Sequence, residues 1–244
     1  MLWALGYPEQ ALSSSEEALR LAEGTSHSHT LAQALSLAAA FHLDRRDVER
    51  TEHLAREAVA LATEHDFPYW RATGCLWWGW ALVQRRDVEK GLAQIQESLA
   101  QFRAKGNVQT IPHALTVLAE VYGQAGEPQK GLEALAEALV VLERTNERRR
   151  EAEVHRLRGE LLLSLPGQPW DEAEACFERA LAIAGQQSAR MWELRAATSL
   201  ARLLAERGRR REAHDALSPV YGWFTEGFET ADLNSARALL ETLT

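Results

Sequence analysis

The residues of this 244-residue chain whose types could do chemistry are eight histidines, two cysteines and several runs of carboxylates and guanidiniums. His27-Ser-His29 can bring two imidazoles together, as a metal site requires. A closed zinc site wants four ligands, and no Cys, Asp or Glu stands at ligand spacing beside the pair, so a solvated loop is expected there. His113 and His155 fall 42 residues apart in matching places, which a sequence repeat explains without a shared ligand. Cys75 and Cys176 lie where helices pack, and a free cysteine there behaves as a small hydrophobe. Two cysteines make no disulfide scaffold and suit a reducing, cytoplasmic setting. Glu16-Glu17 and Glu151/Glu153 read as solvated helix-face charge. No Ser/His/Asp or Cys/His set marks a nucleophile. Neither G-x-x-x-x-G-K-[ST] nor a G-x-G-x-x-G after a strand occurs, so a nucleotide site has no support. No catalytic residue, metal or cofactor is expected.

Binding chemistry is better represented. Arginines cluster at Arg148-Arg149-Arg150 with Arg156 and Arg158, and again from Arg207 to Arg211. Interleaved Glu147, Glu151 and Glu153 favour solubilised helix ends over an acidic-partner or nucleic-acid patch. The formal charge of −8 (27 basic against 35 acidic residues) also argues against nucleic acid or an anionic membrane as partner. The longest apolar run, Cys75 to Val83, is nine residues, about half of the ~20 that span a bilayer. No basic stretch followed by an apolar one opens the chain, so export is not indicated. Three of the eight tryptophans crowd at Trp77, Trp78 and Trp80, and aromatics beside charge are frequent anchors of binding surfaces.

The elements that must position these groups are helical. Seven prolines in 244 residues and abundant Ala, Leu, Glu and Arg favour helix. Asp44-Arg-Arg-Asp-Val-Glu-Arg and Gln84-Arg-Arg-Asp-Val-Glu-Lys are nearly one string repeated after 40 residues. Small residues form one ladder at Ala11, Thr51, Gly91, Gly131, Ala173 and Ala213, and a second at Ala39, Gly79, Ala119, Gly159 and Ala201. Every step is 40 except one of 42 in each ladder, where Leu165-Pro-Gly-Gln-Pro-Trp170 inserts about two residues. Each period holds two apolar stripes of helical spacing, such as Leu115, Leu118, Val121, Tyr122 and then Leu132, Leu135, Leu139, Leu142. The pattern predicts helices over 8–23, 27–44, 47–65, 68–85, 88–105, 109–125, 128–145, 147–165, 169–185, 189–207, 210–224 and 231–242. A hairpin cannot bury both of its faces alone, so neighbours must stack.

These ladders resemble the tetratricopeptide repeat (TPR). Its small eighth position maps to Ala39, Gly79, Ala119, Gly159 and Ala201, and its twentieth to Ala11, Thr51, Gly91, Gly131, Ala173 and Ala213. Its twenty-seventh maps to Ala18, Ala58, Ser98, Ala138 and Ala180. Leu2, His42, Leu82, Tyr122, Leu162 and Leu204 fill the large position between helices. The period of 40 departs from the usual 34. Each repeat lacks its closing proline, and Arg158 stands where Leu118 and Leu200 imply an apolar residue. The resemblance implies an all-α, right-handed solenoid of stacked antiparallel hairpins: a truncated first repeat at 1–26, repeats at 27–66, 67–107, 108–146, 147–187 and 188–227, and a capping helix within 228–244. Counting back one period puts Met1 partway along a repeat. This implies a fragment of a longer protein and an exposed apolar N-terminal face open to self-association.

The string from Leu217-Ser-Pro-Val-Tyr-Gly-Trp-Phe to Asp232-Leu233, followed by Ala236-Arg-Ala-Leu-Leu, is similar to the C-terminus of large bacterial signalling proteins. Those join a nucleotide cyclase or other effector and an AAA-type ATPase to helical repeats. The resemblance implies a non-enzymatic interaction module of such a protein, taking a peptide or partner segment, or the parent's own ATPase domain, in a concave groove. A small-ligand sensor, as in helical-repeat transcription activators, is the alternative. The family's groove positions map to Gln33, Ser36, Thr73, Leu76, Trp80, His113, Thr116, Glu120, Glu153, Arg156, Glu160, Arg195, Thr198 and Arg202. Trp77 and Trp78 fall in core slots shared with Leu37, Val117, Leu157 and with Leu118, Leu200. Trp80 either lines the groove or packs against the next repeat.

Overall fold

A computed structural model describes residues 1–243. Their regular structure is twelve helices: α1 (Pro8–Gly24), α2 (Ser28–Asp44), α3 (Val48–Glu64), α4 (Pro68–Gln84), α5 (Val88–Lys105), α6 (Ile111–Gln124), α7 (Pro128–Thr145), α8 (Glu151–Leu163), α9 (Trp170–Gln186), α10 (Arg190–Glu206), α11 (Arg210–Tyr221) and α12 (Ala231–Leu243). The ends lie within three residues of those predicted, with one exception. Asn146 turns into the left-handed region at φ 53°, residues 147–150 form a turn, and α8 starts only at Glu151.

What ends each helix is regular. Left-handed residues fall at Ser26, Arg46, Asp66, Arg86, Gly106, Gly126 and Asn146, twenty apart, then at Gly167, Ser188 and Gly208. Each reverses the chain within a short turn before the next helix begins. Pro68, Pro112 and Pro128 sit in the first turn of their helices, where a missing N–H costs nothing.

The helices gather into two compact units, one of Leu12–Ala125 and the other of Met1–Ala11 with Gly126 onward. In the first, α2 pairs with α3 and α4 with α5, and α6 lies against α5. Its core holds Leu54, Leu76, Ile95, Leu99, Phe102 and Leu115, all buried. The small-residue ladders let backbones meet: a Cβ added to Gly79 would come 2.8 Å from the Gly91 carbonyl, and one on Gly91 2.5 Å from that of Gly79. Ala18 breaks the ladder and is exposed. Residues 2–6 form turns rather than a helix, so α1 has no preceding arm to close on that slot and buries Ala11, Leu19 and Ala22 instead. Leu37 is also exposed, unlike Trp77 in the same slot. Trp78 is half-buried between the cations of Arg56 (5.4 Å) and Lys90 (5.9 Å) rather than closed in the core.

In the second unit, α8 pairs with α9 and α10 with α11, α7 lies on α8, and α12 rests on both α10 and α11. Leu135, Leu142, Phe177, Leu194, Leu203 and Leu217 fill its core. Phe177 occupies the space that a side chain at Gly159 would take. Arg158 keeps its charge at the surface, so its apolar-slot position does not disturb the packing of α8. Leu21 of α1 is 55% exposed, but Trp3 does not lie on an open N-terminal face. Trp3 is 4% exposed, because Trp192 of α10 covers it with ring centroids 4.7 Å apart.

Candidate partner-binding face

The fourteen groove candidates all lie on the first helices of the hairpins, α2, α4, α6, α8 and α10. Nine are buried: Ser36, Thr73, Leu76, Trp80, Thr116, Glu153, Arg156, Arg195 and Thr198. Gln33 and Arg202 are exposed, and His113, Glu120 and Glu160 are half-buried. Periodicity finds the helix face. It does not reveal that most of these groups are consumed by the next first helix in line.

In the Leu12–Ala125 unit the consumption is a row of rungs. The Ser36 hydroxyl donates to Thr73 Oγ1 at 2.8 Å. Thr73 in turn donates to the Trp70 carbonyl at 3.0 Å. The Trp70 indole donates to His29 Nε2 at 3.0 Å. Further along, Trp80 donates to Glu120 Oε1 at 3.1 Å, and Gln84 to Gln124 Oε1 at 2.9 Å. Arg46, aimed by its left-handed turn, pairs with the same Glu120 oxygen and lies over the Trp80 ring at 5.9 Å. Trp80, at 1% exposure, thus packs between α4 and α6 and is closed to an incoming partner. His113 rests against the Trp77 ring at 4.4 Å, and Thr116 bonds back to the Pro112 carbonyl.

His27 and His29 are not a free loop pair. His27 Nδ1 accepts from the Thr30 backbone N–H and caps α2, while His29 stacks edge-on with Phe67 and Trp70.

In the other unit the rungs are ionic. Glu153 receives a two-bond fork from Arg156 (2.7 and 2.8 Å) and lies 3.6 Å from Arg195. Arg195 forks onto Asp232 of α12 through Nε and Nη2, both at 2.9 Å. Arg156 also reaches Glu160 and Ser199, and the Ser199 hydroxyl donates to Glu160 at 2.6 Å. Burial works against the charge on Arg195, but the Asp232 and Glu153 carboxylates outweigh it and raise its pKa above the ordinary guanidinium value. Forked guanidinium–carboxylate geometry is what makes so buried a chain tolerable. Thr198 bonds to the Leu194 carbonyl, and Arg202 reaches Ser235 at 3.5 Å.

Asp232, Ser199 and Arg46 were missed in the sequence. Their signal is a complementary polar residue 37 to 43 positions from a groove candidate or 74 for Arg46, visible once the rungs are known. The arginine clusters are paired as a solubilising surface would be. Arg148 bonds Glu151, Arg149 bonds Glu147, Arg207 bonds Asp171 and Glu174, and Arg209 bonds Glu174 and Glu212. Burial raises the thiol pKa of both cysteines, which leaves them poor nucleophiles. Among the described residues no group of three or more His, Cys, Asp or Glu could hold a metal ion, and no helix is long and apolar enough to cross a membrane.

No family model matches the chain. An uncharacterized protein of Rhizobium meliloti (strain 1021) is 27% identical over 202 residues, covering 83% of this chain and 20% of that protein. The chain therefore spans about one fifth of the length of the curated relative it matches. Among solved structures, BtubC (BKLC) from P. vanneervenii superposes with a TM-score of 0.62 at 18% identity, over 96% of this chain and 92% of that one. A Rap protein complexed with competence and sporulation factor gives 0.61 at 15%, over 87% and 63%. A STAND signal-transduction ATPase with a TPR sensor, from Pyrococcus horikoshii, gives 0.56 at 15%, over 97% and 40%. The fold is an all-α, right-handed solenoid of stacked helix hairpins of the TPR-like kind.

Proposed function

We propose that this chain is the interaction module of a larger bacterial signalling protein, an ATPase or nucleotide cyclase, and that it works in the cytoplasm. A partner segment, or the parent's own ATPase domain, engages the first-helix face, so that occupancy alters the parent's output. The observation that carries this is that polar side chains stay exposed on the first-helix face, Gln33 in one unit and Arg202 in the other, beside the half-buried, bonded His113, Glu120 and Glu160. They suit a segment with mixed polar and charged side chains. The C-terminal string, the much longer relative and the STAND protein with a TPR sensor support the choice of parent.

Peptide display on the immobilised chain tests the face. Selected peptides should bind at least tenfold more weakly to Gln33→Lys and Arg202→Glu, both of which change exposed side chains. Equal binding to native chain and both variants sinks the assignment. The parent is tested by reading the coding sequence upstream of Met1, where a phosphate-loop motif is expected. A long upstream frame without one removes the ATPase.

A further inference from the structure

Residues Met1–Ala11 associate with the unit that begins at Gly126, and their fit is specific at each step. Trp3 meets Trp192 edge-on, and the Arg195 guanidinium lies 5.0 Å from the first ring and 5.1 Å from the second. Arg195 is itself locked by Asp232, so the cation shared by the two indoles is held in place. The Met191 backbone N–H donates to the Ala4 carbonyl at 3.1 Å. Gly6 runs at φ +97°, and a Cβ there would fall 2.5 Å from the Trp223 ring and 2.8 Å from Arg190 Cβ. Pro8 lies against Gly227, where a side chain would leave it no room.

The start of α1 is then capped from a distance. Glu226 accepts from the backbone N–H of Glu9 (2.9 Å) and Gln10 (3.2 Å) and from the Gln10 amide (3.0 Å). Glu9 returns the bond, accepting from the Gly227 N–H at 2.9 Å. A helix normally takes its cap from the residue just before it; here the cap stands more than two hundred positions away. The seat is not perfect for its occupant. Trp3 is buried but its indole N–H meets no acceptor, an arrangement that weakens the bound state. Trp223 and Phe228 keep a third or more of their surface exposed at the rim.

We propose that this seat, built by Trp192, Arg195, Trp223 and the Glu226-Gly227 turn, is a peptide-acceptor site that the chain's own N-terminal segment fills in cis. It takes a free segment of the same chemistry: an aromatic side chain, a glycine three residues on, and a helix start with a carboxylate in its first turn. Aromatic anchor, main-chain hydrogen bond and captured helix end are three recognition devices combined in one place. The site shares only Arg195 with the first-helix face and stands or falls apart from it.

A cis segment acts at an effective concentration of roughly millimolar, so a trans peptide must be tested where the cis one is weakened. The probe is a fluorescein-labelled peptide of sequence Met1–Gln10, titrated into the full chain and followed by anisotropy. Binding should be at least tenfold tighter to the Trp3→Ala chain than to the native chain, and two- to threefold tighter to Glu9→Ala, which changes an exposed side chain. A peptide carrying Trp3→Ala should lose that gain. If neither variant chain binds the peptide more tightly than native, the proposal is overturned. Where Trp3→Ala has lost its helical circular dichroism, the Glu9→Ala comparison decides. Dimerisation of the Trp3→Ala chain that excess peptide fails to reverse also overturns it, since a second copy would then hold the seat.

Discussion

Trp80 shows how far a residue's slot differs from its task. The sequence places it on the partner-facing side of α4, yet its ring is enclosed by α6 and its indole proton is taken by Glu120. Trp80→Ala should therefore destabilise the chain by about 3–5 kcal/mol, read as a lower urea midpoint. Trp80→Phe keeps most of the ring and should lose about 1 kcal/mol with the hydrogen bond. An alanine variant as stable as the native chain would mean the ring is not a packing element. Two histidines set a pH dependence. Burial lowers the pKa of His42, opposed by the Asp47 carboxylate. Burial also lowers that of His155, opposed by Glu151 and reinforced by Arg179 and Arg158. Both folded values lie below the unfolded value of about 6.5, so folding favours the neutral rings. Their contribution is complete above pH about 6.5 and declines as pH falls through the folded values. The carboxylates whose pKa is lowered, Glu17, Glu147, Glu212 and Glu226, lose theirs only at lower pH. The urea midpoint should thus fall between pH 7 and about 5, and His155→Gln should flatten that fall. A native midpoint that is constant over this range contradicts the assignment.

At the scale of the element, the hairpin depends on backbones that touch. Gly79 and Gly91 face each other between α4 and α5, and each would push a Cβ into the other's carbonyl. Gly91→Ala should cost about 1–3 kcal/mol as an overpacked contact, although alanine is the better helix former by about 1 kcal/mol. Gly185, inside α9 with nothing near its missing Cβ, should show the opposite sign, with Ala stabilising by up to about 1 kcal/mol. Thermal melts of the two variants check this; a shift in the same direction for both would refute the close-approach reading. The helices and their order could be read from the small-residue ladders, because close approach demands a residue type and so writes a period into the sequence. The turns were legible only in part. Gly106, Gly126, Asn146 and Gly208 announce a left-handed position, whereas Arg46, Arg86, Ser26 and Ser188 adopt one without a compositional mark. The polar rungs were hidden for a related reason. A hydrogen bond such as Ser36 to Thr73 needs only complementary groups, and many residue pairs satisfy it equally well.

At the scale of the whole molecule, stability in a repeat array is expected to be local, each element depending on its immediate neighbours. The N-terminal segment is an exception to reading those neighbours from sequence order, since residues 1–11 are held by α10 and the turn after α11. No periodic signal announces that pairing, because it joins an irregular segment to an irregular turn. It has a measurable consequence in native-state hydrogen exchange, where amides that open together report a shared cooperative unit. The amides of Met191, Gly227, Glu9 and Gln10 all donate across this junction, to Ala4, Glu9 and Glu226. They should exchange with similar opening free energies despite their distance in sequence. Trp3→Ala should accelerate all four together, by removing the ring that seats the segment on Trp192. Amides in the middle of α4, in the Leu12–Ala125 unit, should keep their native rates. Acceleration confined to Glu9 and Gln10 would reduce the junction to a frayed helix end; equal acceleration in α4 would show that the chain opens as one body rather than by neighbours.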